Sequence, residues 1–111
     1  MINSRGQRNE QSAFWQNAEW IDQSGPIAFD KWAGIAIFDH PDNPRHPVAW
    51  HCRNDGWAGA SFNLKDAWVI EPENPLKLKY RVHIHRHNAE LGKVALRYKE
   101  YICNPDVILS D

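Results

Sequence analysis

Prolines recur at every third position of the segment DHPDNPRHP, at 41, 44 and 47. Proline has no backbone N–H and drives the residue before it out of the helical region, so neither a helix nor a central strand can run through residues 40–47. The segment is a loop with apolar runs on both sides. Before it, Gly34 to Phe38 (GIAIF) is apolar on both alternating faces, the pattern of a strand covered on two sides. After it, Val48, Trp50 and Cys52 alternate with Ala49, His51 and Arg53, one face apolar and the other titratable or cationic. Asp39, His40, Asn43, Arg45 and His46 are thereby framed between two buried supports, as binding groups commonly are.

Two backbone conformations fit the loop. A polyproline helix has three residues per turn, which would set His40, Asn43 and His46 on one ridge and Asp39, Asp42 and Arg45 on another. Alternatively, Pro41-Asp42-Asn43-Pro44 forms a β-turn, with Asp39 and Asn43 satisfying loop backbone groups.

The rest of the chain is punctuated by turns. Residues 1–13 are polar and aperiodic and read as a mobile lead-in to one domain over 14–111. A short strand around Trp20 should close at Ser24-Gly25-Pro26, and a second strand should lead into Gly34–Phe38. Asn54-Asp55-Gly56 is a hairpin turn, from which WAGASFN returns. Lys65-Asp66 breaks the chain before AWVIE, and Pro72-Glu73-Asn74-Pro75 turns it again. From Leu76 to His85, Leu76, Leu78, Tyr80, Val82 and Ile84 share one face, and Lys77, Lys79, Arg81, His83 and His85 the other. That alternation predicts a half-buried strand with a cationic outer face. A helix capped by Asn88 should carry Leu91, Val94 or Ala95, Tyr98 and Tyr101 or Ile102 inward and stop at Asn104-Pro105. Six strands and one C-terminal helix make the expected fold mostly β, an antiparallel β-sandwich or part of one.

Thirteen basic residues against fourteen acidic ones give a net charge of −1, so nucleic acid and anionic membrane are not expected partners. No apolar stretch approaches the ~20 residues that span a bilayer, and the N-terminus lacks a signal-peptide core, so the chain as written is expected in the cytoplasm. Cys52 and Cys103 show no CxxC spacing and read as reduced, packed thiols. A part-sandwich should leave an edge or an apolar face bare, to be covered by a homodimer partner or a missing N-terminal segment.

The candidate chemistry lies in Arg45, His46, His51 and Arg53. Arginine offers a fork for carboxylate, and neutral histidine both donates and accepts. With Trp57 or Trp50 near, the set suits a sugar or sugar acid, and His46 is the candidate general base. The competing reading pairs these cations with Asp39, Asp42 and Asp55 and makes the loop structural. His83, His85 and His87, at alternate positions of a strand, are weak metal candidates because Lys77, Lys79 and Arg81 share their face. No cofactor is expected, and no nucleophile elbow, P-loop, dinucleotide fingerprint or HExxH motif is present.

GIAIFDHPDNPRHPVAWHCRNDGWAGASF resembles the signature of the methane oxygenase PmoA-like family, and PENPLKLKYRVHIH is similar to its closing segment. The resemblance covers roughly residues 18–102 and matches Asp39, His40, Pro41, Asn43, Pro44, Arg45, His46 and Pro47, then Trp50, His51, Arg53, Gly56 and His85. Asp42 stands where Ser is usual. The resemblance implies a soluble or often exported bacterial protein, longer than this chain, whose genes sit among those for sugar oxidation and glycan breakdown. Three functions are thus expected in order: binding or processing of a carbohydrate-derived ligand at the loop, a structural half-domain or truncated product without activity, and a metal-dependent oxygenase.

Overall fold

The computed structural model describes residues 1–62 and 67–103. Its elements are β1 (Ile2–Asn3), α1 (Asn9–Ala13), β2 (Trp20–Ala28), β3 (Lys31–Asp39), β4 (Trp50–Cys52), β5 (Ala58–Ala60), β6 (Tyr80–Arg86) and α2 (Val94–Cys103). One antiparallel sheet has the order β1-β2-β3-β6, and β4-β5 form a separate antiparallel hairpin. The fold is mostly β with a C-terminal helix, consistent with part of a β-sandwich.

The sheet is covered by α2 on one side and only in part, by the hairpin, on the other. Trp20, Ala36 and Phe38 pack against Ala89, Val94, Tyr98 and Tyr101 on the α2 side. Ile21 and Ile37, whose side chains alternate to the opposite face, join Ala13, Ala18, Val48, Trp50 and Cys52 on the hairpin side. Trp50 is fully buried and donates its indole N–H to the Ala18 carbonyl (2.8 Å), which anchors the hairpin beneath β2.

Several expectations are corrected. Residues 1–13 are not a loose lead-in: β1 pairs with Ile21 and Asp22, and the buried Asn3 accepts the backbone N–H groups of Arg5 and Gln7. Arg5 and the Ser4 hydroxyl both bond the Glu19 carboxylate. This segment is held by polar pairing, which leaves no apolar period to read. The strand does not stop at Ser24-Gly25-Pro26 either; β2 runs through Pro26 to Ala28. Beyond Asp22 it has no β1 partner on its outer side, and a proline there forfeits no ladder bond. AWVIE forms no strand, and Asn104-Pro105 and Lys65-Asp66 lie outside the described residues. Asn88 caps a preceding turn through the Leu91 N–H (2.8 Å), not α2, and Leu91 is exposed. Cys52 is buried, and burial pushes its thiol pKa up; Cys103 is exposed, so only one of the two thiols is packed.

The largest correction concerns β6, which starts at Tyr80 and not at Leu76. Its apolar face is the bare one: Val82 is 61% and Ile84 75% exposed, beside Ile35 at 50% on β3. The titratable face is the better covered of the two, with His85 buried and His83 half-buried, although Arg81 stays exposed. Arg81 lies over the Tyr101 ring (4.7 Å), His83 stacks on Phe38, and His85 crosses β3 to bond Asp22 on β2. Burial, then the neighbouring His85, pulls the His83 pKa down.

That crossing requires Gly34. A Cβ there would lie 2.7 Å from the His85 ring and 2.6 Å from Ser24, and a Cβ on Gly92 would lie 2.5 Å from His85 Nδ1. His85 Nδ1 faces the Arg86 carbonyl (2.9 Å), which can only accept, so Nδ1 donates there while Nε2 faces Asp22. Gly34→Ala should displace this ring and lower stability by about 1–3 kcal/mol in urea unfolding, the usual cost of overpacking.

Glu19 gives a pH signature. Its hydrogen bonds to Arg5, the largest cause, and to Ser4 outweigh desolvation and hold its pKa at about 2, below its ordinary 4.5. A depressed carboxylate stabilises the fold above 4.5, and that contribution is lost as pH falls towards 2. The loss should be shallow because Arg5 is solvent-exposed, and Glu19→Gln should flatten the acid limb of the unfolding midpoint against pH.

Candidate functional site

Two successive turns form the proline loop. The Asn43 N–H donates to the His40 carbonyl (2.9 Å) and the His46 N–H to the Asn43 carbonyl (3.3 Å), while Arg45 sits at φ 64. The polyproline ridge is therefore absent, and His40 and Asn43 turn inward, both buried. Asn43 explains the choice of turn. Its amide donates to the Lys79 carbonyl (2.6 Å) and to Asp39 Oδ1 (2.7 Å), and its Oδ1 accepts the Lys79 N–H (2.6 Å), pinning the loop to the approach of β6.

Asp39, 1% exposed at the end of β3, is the centre of this network. Its Oδ1 accepts from Asn43, and its Oδ2 accepts from the Val48 N–H (3.0 Å) and from His46 Nδ1 (2.7 Å). Three donors offset the cost of burying a carboxylate. The Tyr98 hydroxyl donates to the Asp39 carbonyl (2.9 Å), and burial holds its pKa far above that of a free phenol. Because the carboxylate only accepts, neutral His46 carries its proton on Nδ1 and keeps a lone pair on Nε2. The His46 side chain is 16% exposed, at the edge of the network.

His40 plays a different part. Its Nδ1 accepts the Asp42 N–H (3.0 Å), so Nε2 carries the proton, and among the described residues that buried atom has no hydrogen-bond partner. The ring stands edge-on to Tyr101 at 5.1 Å. Arg45 donates to the carbonyls of Phe62 (3.2 Å) and Ala67 (2.9 Å), and its guanidinium lies about 5 Å from the Phe62 and Trp68 rings.

The remaining candidates lie apart from the loop. His51 packs edge-on against Phe14 and Trp15, and Trp57 is exposed at the hairpin end, where Gln23 bonds the carbonyls of Arg53 and Trp57. His83, His85 and His87 separate as well. His85 is engaged by Asp22, His83 by Phe38, and His87 falls beyond β6 at φ 66. Among the described residues no group of three His, Cys, Asp or Glu is arranged to hold a metal ion.

A family model described as a family of unknown function, DUF6807, matches residues 1–99. The chain belongs to the DUF6807 family. The matched span includes the whole DUF6807 sheet, the proline loop and the first part of α2. No curated protein and no solved structure matches this DUF6807 chain. No helix among its described residues is long and apolar enough to cross a membrane.

Asp22 was not among the residues singled out by pattern, and Tyr98 was read only as an inward-facing residue of the helix. Gly34 is the signal that could have found Asp22, since a glycine inside a strand commonly marks a close approach. Removal of the Asp39 carboxylate leaves the Val48 N–H and His46 Nδ1 without an acceptor. Asp39→Ala and Asn43→Ala should each cost more than about 2 kcal/mol, while Arg53→Ala should stay within about 0.5 kcal/mol in the same urea titration.

Proposed function

We propose that this DUF6807 chain binds or processes a carbohydrate-derived ligand at the DHPDNPRHP loop, with His46 as the group that meets the ligand. The supporting observation is the Asp39–His46 pair: a carboxylate held by three donors orients the imidazole through Nδ1. Such a pair fixes the tautomer and favours the imidazolium that forms when Nε2 takes a proton, as a general base acting on a hydroxyl requires. Trp68, 39% exposed and tilted against Phe62, gives an apolar surface next to Arg45, of the kind that accepts the C–H face of a sugar ring. The similarity to the PmoA-like signature, whose members sit among sugar-oxidation genes, points the same way.

A second reading draws on the burial of Asp39, His40 and Asn43: the loop is a scaffold without activity. His46→Ala separates the two. Asp39 keeps the Asn43 and Val48 donors in this variant. The unfolding free energy should therefore change by less than about 1 kcal/mol while binding on an array of neutral and acidic glycans is lost. A loss above about 2 kcal/mol with glycan binding intact, or no glycan binding by the parent chain, would leave the scaffold reading.

A further inference from the structure

On the α2 side of the sheet a cavity of 540 Å³ opens between the turn after β1 and the segment that enters α2. Its size is within the roughly 300–1,000 Å³ of small-molecule sites. Trp20 and Trp32 form an apolar wall with Val94, and Trp32 keeps 47% of its surface exposed. Arg8 and Lys93 line the same cavity from opposite chain segments, and among the described residues neither side chain has a hydrogen bond or ion pair. Glu90 also lines it and is paired with neither cation, so positive charge is in excess. Ala95, in the first turn of α2, lies on the rim, where the positive end of the helix adds to that excess.

Two cations beside an apolar wall contribute no pairing to the fold. Both side chains are exposed, and their positive field raises the local concentration of anions around the cavity. A ring lying on an indole face while its charged substituent meets arginine and lysine uses each part of this lining. We propose that the cavity binds a small organic anion, a carboxylate or phosphate carried on a ring that lies against Trp32, with Arg8 and Lys93 taking the charged group. The Asp39–His46 pair has no part in this site.

The test is titration of the full chain, followed by the Trp32 indole and Ala95 amide resonances, with glucose 6-phosphate, glucuronate, neutral glucose and inorganic phosphate. At least one ring anion should bind saturably and about tenfold or more tightly than glucose and inorganic phosphate, a gap of ~1.4 kcal/mol. Arg8→Gln combined with Lys93→Gln should remove that preference without shifting the urea midpoint, and His46→Ala should leave it unchanged. Should the double variant fail to fold, Lys93→Gln alone and Trp32→Leu carry the same expectation. Equal binding of glucose, binding of inorganic phosphate as tight as that of the ring anions, retention of the preference in the variants, or no saturable shift up to about 10 mM would each overturn the proposal.

Discussion

A carboxylate at the end of β3 decides how three separate parts of this chain meet. Asp39 is out of water, and an ionised carboxylate there is tolerable only if donors replace the lost hydration. The donors come from Asn43 in the loop, from the Val48 backbone at the entry to the hairpin and from the His46 ring. Through Asn43 the same network reaches Lys79 and so sets where β6 begins. A one-residue slip of β3 would carry Asp39 to the other face and strand all three donors, which makes the buried charge a device for register.

Much of this was visible in the residues. The doubly apolar run before the prolines is a central strand, the Asn54-Asp55-Gly56 turn closes the β4-β5 hairpin, and Val94, Tyr98 and Tyr101 do face inward from α2. The loop was legible as a loop, and its turn geometry followed once Asn43 was seen to bond Lys79. What alternation cannot state is which face of a strand another element covers. In β6 it grouped Val82 with Ile84 and Arg81 with His83 and His85 correctly, yet the covered face is the second. His83 on Phe38 and His85 on Asp22 show that aromatic and ionic partners cover a titratable face when they arrive from distant parts of the chain, while Arg81 stays exposed. His85 and Asp22 are 63 positions apart, a separation no local pattern encodes.

The candidate site was legible in part for the same reason. Asp39, Asn43 and His46 lie close in sequence and converge, with His40 buried beside them, whereas His51, Arg53 and Trp57 follow the hairpin away from them. The two ligand sites proposed here also differ in kind: one is a single oriented imidazole at the edge of a buried network, the other a concave surface with excess positive charge. Residues 1–99, the span shared with DUF6807, contain both.

The bare flank of β6 has a consequence for how this molecule behaves among its own copies. Among the described residues β6 is the last strand of its sheet, with no strand beside its outer backbone groups, and Val82 and Ile84 offer an apolar strip along that rim. Exposed edges of this type are templates for strand addition unless charge interrupts them. The chain is close to electrically neutral, with a sequence pI near 6.6, so long-range repulsion between molecules is weak around that pH. Protection against open-ended association then falls on short-range charge, above all the exposed Arg86 at one end of the strand. The edge strand, more than the total charge, is thus where self-association of this protein would begin.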